Sequence, residues 1–529
     1  MSFKMKFESE DSLNRKMLEG INILADNVAA TYGPRGNNVL LQEKDSDPFV
    51  TKDGVTVARF VHLDDPFMNA AVQVLKQAAI QTNNEAGDGT TTSTIIARAL
   101  VERAQKYITA GVPAIEIKRG MDTFLEHVID VLHDLSKPIE SKEEIMHVAT
   151  ISANNDKTIG EMIAMAVDKV GRDGAITIEE ANSGETTLDV TEGFSFSSGF
   201  RAGAFVTDKR RNIMQHDNPL ILVTDYKIST VDQILPVLEL GARENRPLVI
   251  IAEEIEEQAL AAMIMNAMRG TLKVAAIKAP FYGEERRSLL ADLAISTNAH
   301  YISRESGFNL SDVKLQHLGS ASSIESTKIA TTIVGGDADY ELVDQQIDML
   351  KAQLSQTDDL SACEAIQHRI TRLASGVAVI RVGAPTEVEM IEKKHRIEDA
   401  LEAVRAAQLE GTLPGGGSAL VKAQRLSPME VGGIENHNQR VGAEVLKEAL
   451  IAPLVQLADN CNRSSDIILS HLRCHECPFE KGWDFNTNSF TDLYEAGVID
   501  PTKVVCTALS NAVSVAGSLL TTNFAIIGY

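Results

Sequence analysis

Residues 88–92 read Asp-Gly-Thr-Thr-Thr, and they stand where a loop ends and an apolar-periodic run, residues 93–101, predicts a helix. The first turn of a helix offers unpaired backbone N–H groups and a partial positive charge, which suit phosphate oxygens. Gly89 lets the backbone approach an anion closely, and Asp88 provides the carboxylate that a Mg²⁺ ion on those phosphates needs. The pentapeptide therefore predicts a nucleoside triphosphate site, although a helix capped by Asp and Thr explains the same residues equally well.

The composition places the chain among globular proteins of several domains. It has 529 residues, too many for one core, and a hydrophobic content of 44%, which is ordinary for such proteins. The net charge of −24 argues against a general nucleic-acid or anionic-membrane surface. The sequence has no apolar run of membrane-spanning length and no export signal, and its five cysteines are an odd number. Together these features predict a cytoplasmic protein with reduced thiols.

The first quarter of the chain is mostly helical in pattern. An amphipathic helix is predicted over residues 11–32, where it ends at a Gly-Pro turn. Short strands are predicted at 38–41 and 49–51, and helices dominate residues 66–134. This texture predicts an α-helical domain at the N-terminus.

The middle of the chain has a different texture. Residues 192–377 alternate short apolar strands with helices, which is typical of an α/β layer domain. The strands are predicted at 220–224, 248–252, 274–278 and 300–302. A strand at 376–382 and a long helix at 386–410 follow, and then a helix-rich remainder. The order predicts an α-helical domain divided between the two ends of the chain, around an inserted α/β domain.

Eight segments, in the family's order and near its spacing, make the chain similar to group I chaperonins, the GroEL-like large subunits. The segments are TYGPRG at 31–36, TKDGV at 51–55, AGDGTTT at 86–92, TISAN at 150–154, VIRVGA at 379–384, RIEDAL at 396–401, GGG at 415–417 and IDPTKV at 499–504. Each segment is weak alone, but the set extends over almost the whole chain. The sequence therefore resembles a divergent member of this family.

The resemblance implies a multidomain α + α/β fold and an ATP-hydrolysing chaperone. The implied domains are an α-helical equatorial ATP-binding domain (1–134 and 410–529), a small α/β intermediate hinge domain (135–191 and 378–409) and an α/β apical client-binding domain (192–377). The implied assembly is a homo-oligomeric ring of seven subunits that encloses non-native client proteins. ATP, Mg²⁺ and K⁺ are the implied cofactors, and a GroES-like co-chaperonin is a further partner of the family. Hydrolysis would drive domain motions that switch client binding and release.

The resemblance also assigns roles in the nucleotide site. Asp53 and Asp399 resemble the two carboxylates that polarise the attacking water, and Asp88 resembles the Mg²⁺ ligand. Thr31, Lys52 and Thr90 fall near the family's K⁺ position. The residues implied to contact ATP are Thr31, Tyr32, Gly33, Pro34, Lys52, Asp88, Gly89, Thr90, Thr91, Thr92, Ile151, Gly416, Asn486 and Asp500. Because Asp399 lies in a long helix of the hinge domain, movement of that domain would couple hydrolysis to conformation.

Two predicted helices of the 192–377 region carry apolar stripes. Ile234, Leu235 and Leu238 recur at helical spacing within residues 229–242, and a methionine-rich stripe lies within 257–269. If these stripes are exposed, they make an adaptable surface for varied unfolded segments. If they are buried, they belong to the core of the domain. The resemblance favours exposure, and it implies client binding by Phe200, Phe205, Leu235, Leu238, Leu260, Ile264, Met265 and Asn266.

Several positions depart from the family pattern. Ser198 stands where the family has an arginine that pairs with the carboxylate at Glu387, which puts the usual coupling within the ring in doubt. Val455 and Ser464 stand where the family has charged contacts between rings, so a single ring and a double ring both stay open. A motif foreign to the family comprises His471, Cys474, His475 and Cys477. Its spacings could supply zinc ligands, and reduced thiols in a surface hairpin are the alternative.

Two other functions compete with an ATP-driven chaperone. A small-molecule kinase needs an acceptor site beside the γ-phosphate, and the sequence offers no candidate base besides Asp53 and Asp399. The sequence also has no GxxxxGK[ST] loop, which disfavours a P-loop enzyme. A scaffold ring that binds ATP without hydrolysing it would not need Asp53, Asp88 and Asp399 together.

Overall fold

A computed structural model describes residues 5–42, 48–171, 175–181, 184–209, 211–338, 340–355, 360–374, 376–427, 434–474 and 477–528. The chain divides into two compact units. The first unit comprises Met1–Met165 and Ala384–Tyr529, and the second comprises Ala166–Gly383. The finer division into equatorial, intermediate and apical domains stays a prediction.

The N-terminal part of the chain is mostly helical. Its elements are β1 (Met5–Ser9), α1 (Glu10–Ala29), β2 (Val39–Leu41), β3 (Phe49–Thr51), α2 (Gly54–Phe60), α3 (Pro66–Ala86), α4 (Thr90–Thr109), α5 (Ala114–Asp134), α6 (Lys142–Ser152) and α7 (Lys157–Val170). Strands β2 and β3 form an antiparallel hairpin.

The second unit is built on a nine-stranded mixed sheet. Its elements are β4 (Ile176–Glu180), β5 (Thr187–Phe196), β6 (Met214–Asp217), β7 (Leu220–Val223), β8 (Lys227–Ile228), α8 (Val231–Glu244), β9 (Leu248–Ala252), β10 (Glu254–Ile255), α9 (Glu257–Arg269), β11 (Val274–Lys278), α10 (Gly283–Thr297), β12 (Gly319–Ser326), β13 (Thr331–Gly336), α11 (Tyr340–Leu354), α12 (Leu360–Ala374) and β14 (Gly376–Val382). The strand order is β11-β9-β7-β12-β13-β5-β14-β4, and β6 also pairs with β12. Strands β7, β9 and β11 are parallel, and β7 and β9 are fully apolar, as expected for strands buried on both faces.

The chain then completes the first unit. The elements are α13 (Glu387–Glu410), β15 (Thr412–Pro414), α14 (Ser418–Leu426), α15 (His437–Ala449), α16 (Ala452–Asn460), α17 (Ser465–Leu472), β16 (Lys481–Asp484), β17 (Ser489–Asp492), β18 (Ile499–Pro501), α18 (Thr502–Leu520) and β19 (Phe524–Gly528). Strand β19 pairs antiparallel with β1, so both ends of the chain meet in a two-stranded sheet.

The core of the first unit is aliphatic and joins both ends of the chain. Its fully buried residues include Leu24, Leu75, Leu100 and Phe124 of the N-terminal helices and Leu509 of α18. Among the described residues, α18 is the one helix long and apolar enough to cross a bilayer by length and composition. More than half of its apolar window is buried inside the unit, as expected for a core helix.

The structure corrects one predicted strand and adds others. Residues 248–252, 274–278 and 376–382 are strands as predicted. The prediction of a strand at 300–302 is wrong, because Ile302 forms only an isolated bridge with Thr224. The chain turns away after it, where the Asp225 carboxylate accepts a hydrogen bond from the Arg304 N–H at 2.8 Å. Strand β12 (GSASSIES) was not predicted, because serines occupy both faces and the sequence lacks the alternation of apolar and polar residues that marks a strand.

Candidate nucleotide site

Two glycines shape the loop that carries Asp88. Gly87 ends α3 at φ 71°, and Gly89 precedes α4 at φ 85°, both in the left-handed region that favours glycine. A Cβ on Gly89 would lie 2.8 Å from the Cγ1 atom of Val504, so the space also requires glycine. The first α-helical bond of α4 runs from the Ser93 N–H to the Gly89 carbonyl. The N–H groups of residues 90–92 precede that bond, and such groups at the start of a helix favour a negatively charged ligand.

A second turn, after α1, also lines the site. Gly33 has φ 81°, and a Cβ there would collide with the Leu457 side chain at 2.2 Å. The Nδ2 atom of Asn460 donates to the carbonyl oxygens of Ala29 and Tyr32, both at 2.9 Å. The ammonium group of Lys52 donates to the Gly33 carbonyl at 3.2 Å. These bonds hold the turn at residues 30–36 in place without a regular element.

Asp53 is the N-cap of α2. Its two carboxylate oxygens accept hydrogen bonds from the backbone N–H groups of Val55 and Thr56, each at 3.1 Å. The Thr56 hydroxyl donates to the same carboxylate at 2.5 Å. An N-cap carboxylate of this kind is both stabilised and fixed in direction by the helix.

These turns surround a cavity of about 250 Å³ in the first unit. The cavity collects every residue that the sequence predicted for the nucleotide site, namely Thr31, Tyr32, Gly33, Pro34, Lys52, Asp53, Asp88, Gly89, Thr90, Thr91, Thr92, Ile151, Asp399, Gly416, Asn486 and Asp500. They come from segments separated by hundreds of residues. Their common location is a finding, and the role of each residue stays a prediction.

Sequence reasoning missed several residues of the cavity wall. Ser152, Arg396, Asp484 and Phe485 all line the cavity. Ser152 and Arg396 lie inside the segments 150–154 and 396–401, which carried the resemblance without any role for these two side chains. Asp484 and Phe485 had no such signal, because they reach the cavity only through the folding of the β16–β17 hairpin.

Ser152 and Arg396 each have a defined partner at the cavity. The Ser152 hydroxyl donates to the Asp88 carboxylate at 2.8 Å. The Arg396 guanidinium pairs with Asp156 at 3.1 Å and with Glu392 at 2.8 Å. Ser152 thereby orients the predicted metal ligand, and the two carboxylates fix the direction of the Arg396 side chain.

Two carboxyl groups of the cavity, those of Asp88 and Asp500, have raised pKa values. Burial raises the pKa of Asp88, against the opposing effect of the hydrogen bonds from Ser152 and the Gly89 N–H. Burial and the neighbouring Asp88 charge raise the pKa of Asp500 to about 7. Burial also lowers the pKa of Lys52, and the nearby Arg396 charge adds to this effect. The cavity therefore disfavours uncompensated negative charge beside Asp88 and Asp500, which suits a bound cation.

Replacing Asp500 by asparagine is expected to remove part of the pH dependence of stability in the nucleotide-free protein. The folded-state pKa of Asp500 is about 7, whereas aspartate in an unfolded chain titrates near ~3.9. The unfolded chain releases this proton first, so the free energy of unfolding of the wild type falls as the pH rises between these values. An amide does not titrate. The urea-unfolding midpoint should therefore drop more in the wild type than in D500N between about pH 5 and about pH 8. An equal drop of the urea midpoint in both proteins would contradict the raised pKa of Asp500.

The predicted client-binding residues of the second unit are only partly exposed. Leu235 on α8 is 44% exposed and Met265 on α9 is 50% exposed, as the exposed-stripe interpretation expects. Leu260, Ile264 and Asn266 are partly buried. Phe200, Phe205 and Leu238 lie in the core of the unit, which corrects the expectation that they form an open surface. They pack there because the unit also uses these large apolar side chains for its own hydrophobic contacts.

The Cys-rich motif does not form a metal site among the residues that the structure describes. His475 lies outside them, Cys474 is exposed and Cys477 is buried. Within the described ranges, no group of three or more His, Cys, Asp or Glu side chains could hold a metal ion. The zinc interpretation therefore gains no support from the structure.

Comparisons with known proteins agree with the geometry. A sequence model of the TCP-1/cpn60 chaperonin family matches residues 24–527. Among solved structures, the chain is similar to the chaperonin gp146 from the bacteriophage EL 2 (Pseudomonas aeruginosa), crystallised in the presence of ATP-BeFx. One crystal form matches at a TM-score of 0.68 with 23% identity, and another at 0.62 with 22%; each match covers 99% of both chains. This likeness confirms the predicted multidomain α + α/β fold.

Proposed function

Because the chain belongs to the TCP-1/cpn60 chaperonin family, whose members are ATP-dependent chaperones, we propose that the cavity of its first unit holds the ATP it hydrolyses. The observation that carries the proposal is the convergence of the predicted ATP, metal and water-positioning residues on one cavity. The start of α4 would bind the phosphate oxygens, and Gly416, Asn486 and Asp500 would contact the base and ribose.

Asp88 is the proposed Mg²⁺ ligand. It offers a hard carboxylate oxygen beside the start of α4. Burial raises its pKa, so the ionised carboxylate is unfavourable there unless a cation compensates its charge. The remaining ligands of such an ion would come from phosphates and water, as is usual for Mg²⁺ with nucleotides. Thr31, Lys52 and Thr90 line the same cavity, and their oxygen atoms are proposed to hold K⁺. When bound, the cations would neutralise phosphate charge during transfer.

Asp53 and Asp399 are proposed to orient the attacking water. Phosphoryl transfer needs charge neutralisation and an in-line nucleophile more than covalent chemistry. Asp53 is rigid because its oxygens cap α2. Asp399 instead depends on the position of α13, so a shift of that helix would bring the carboxylate toward the water or remove it. This arrangement would link hydrolysis to domain motion.

The exposed parts of α8 and α9 are the proposed client surface. Leu235, Met265 and Met268 are 44%, 50% and 75% exposed, and apolar side chains grouped on a protein surface commonly mark an interaction site. Helices α8 and α9 contact each other within the second unit. Methionine adapts its shape to many partners, so this surface suits non-native proteins rather than one specific ligand.

The terminal sheet supports assembly into a homo-oligomeric ring. On one face of β1 and β19, Met5, Phe7, Phe524 and Ile526 are all more than half exposed, while Ile527 on the other face packs on the core. A two-stranded sheet with such a face gains stability when another chain covers it. We propose a cytoplasmic ring of seven subunits, with a GroES-like co-chaperonin as a further partner.

The function is tested with the purified assembly, by ATP turnover and by suppression of aggregation of a denatured client protein. We expect Mg²⁺- and K⁺-dependent turnover together with suppression. The double variant Leu235→Glu with Met265→Glu should lose most of the suppression, because binding an apolar client segment would bury the two new charges without partners. Its ATP turnover should stay within about twofold of wild type. Ile329→Glu is the matched control, since Ile329 is 77% exposed in the same unit but lies outside α8 and α9.

Three outcomes would contradict the proposal. A protein that binds ATP without turnover would be a scaffold ring, and phosphate transfer to an added small molecule would indicate a kinase. Equal suppression by the wild type and the double variant would remove α8 and α9 as the client surface.

A further inference from the structure

Tyr32 places a phenol in the wall of the nucleotide cavity. Its backbone is fixed at the end of α1, where its N–H donates to the Ala29 carbonyl at 3.1 Å and its own carbonyl accepts from Asn460. Its ring packs against the apolar cluster that contains Leu457 and Phe485. Because both ends of the residue are held, its hydroxyl has a defined position. That hydroxyl lies 3.0 Å from the Thr92 Oγ1 atom, across a sequence separation of 60 residues.

Thr92 belongs to the phosphate-binding helix start. It is the third residue of α4, within the turn whose N–H groups precede the first α-helical bond. A hydroxyl at this position can donate to a phosphate oxygen only if its proton points into the cavity. A threonine hydroxyl rotates freely, so a neighbouring donor that occupies its lone pair decides which way the proton points.

Tyr32 is suited to act as that donor. A phenol carries its proton at neutral pH, so its O–H can donate to a neighbouring hydroxyl oxygen. A phenol that donates to Thr92 Oγ1 leaves the threonine proton free for another acceptor, and the cavity is the open side of the pair.

We propose that Tyr32 is a positioning residue, whose hydroxyl orients the Thr92 hydroxyl toward the phosphates of the bound nucleotide. The inference rests on the proposed function, since it needs a nucleotide at the start of α4. It assigns a task to the phenol oxygen that an apolar side chain with the same packing could not perform. The hydrogen-bond pair would act on nucleotide binding rather than on the attacking water, which Asp53 and Asp399 are proposed to handle.

The test removes the hydroxyl and keeps the ring. Tyr32→Phe should raise the dissociation constant and the KM for Mg-ATP by about 3- to 10-fold, the range expected for the loss of one neutral hydrogen bond, with kcat within about twofold of wild type. Isothermal titration calorimetry and steady-state turnover on the intact assembly give these quantities. Tyr494→Phe is the matched control, because Tyr494 donates to the Thr412 carbonyl at 3.0 Å in the same unit but does not line the cavity.

A double-mutant cycle separates positioning from packing. In a Thr92→Val background, Tyr32→Phe should change the dissociation constant by less than about twofold, because the group it orients is absent. In a Thr92→Ser background, which keeps a hydroxyl, the full effect should return. A Tyr32→Phe effect of the same size in both backgrounds would overturn the inference, and so would unchanged affinity in Tyr32→Phe alone. A wild type that binds no nucleotide would instead overturn the proposed function.

Discussion

Replacing Asp399 by alanine is expected to slow ATP hydrolysis by about 100- to 1,000-fold, the usual cost of removing a group that positions or activates the nucleophile. ATP affinity should stay within about threefold of wild type, because the phosphate-binding groups lie on other elements. The effect should therefore appear in kcat and leave the dissociation constant almost unchanged. Single-turnover hydrolysis of labelled ATP, together with calorimetric titration, measures the two quantities separately.

The control for Asp399 is an acidic residue on the same helix. Glu389 lies in the first turn of α13, is exposed and does not line the cavity. Glu389→Ala removes one negative charge from α13 and should leave kcat within about twofold of wild type, as most surface substitutions do. A similar loss of kcat in both variants would indicate a general effect on α13. A large loss of affinity in Asp399→Ala would show that Asp399 supports the cavity instead of the water.

The second large effect is expected for Asp88→Asn. The amide keeps the size of the side chain and can still accept from Ser152, but it cannot supply a charged oxygen to Mg²⁺. Turnover should fall at least about 100-fold, because the developing charge on the phosphates loses its cation. Saturating Mg²⁺ should restore only part of it. Measuring turnover at fixed ATP over a range of Mg²⁺ concentrations gives the half-saturating Mg²⁺ concentration, which should be higher in Asp88→Asn than in the wild type.

Stability gives Asp88→Asn an independent readout. Burial raises the pKa of Asp88, so ionising this carboxyl costs free energy in the folded protein without a cation. The neutral amide avoids that cost, and the nucleotide-free variant should unfold at a higher urea concentration than wild type near neutral pH. Asp122→Asn is the control, since Asp122 forms a surface ion pair with Lys118 at 3.2 Å. A destabilised Asp88→Asn with wild-type Mg²⁺ dependence would refute the metal role.

Residues that are local in sequence were predicted well. The chaperonin resemblance and the multidomain fold were correct, because the segments that carry them are short and keep their order. The loop around Asp88 was recognisable for the same reason. Its two glycines have positive φ and leave no room for a Cβ or for a different turn, so three adjacent residues specify the start of α4.

Long-range packing was less visible. The sequence stripes on α8 and α9 predicted apolar faces but could not say which side chains the sheet would cover. Leu238 of α8 is in the core, while Leu235 of the same helix and Met265 of α9 are exposed, although all three were assigned alike. Burial depends on the neighbours that the tertiary fold supplies, and helical periodicity shows only that a face exists.

By itself, the sequence determined the family, the order of most elements and the glycine-containing segments that line the cavity, because a few adjacent residues specify a glycine turn or the start of a helix. Only the tertiary structure decided the contacts between those segments. The bond from Ser152 to Asp88 and the contact of Tyr32 with Thr92 each join residues more than 50 positions apart. Such pairs form when separate segments pack together, and no local pattern encodes the distance between two side chains that are far apart in the sequence.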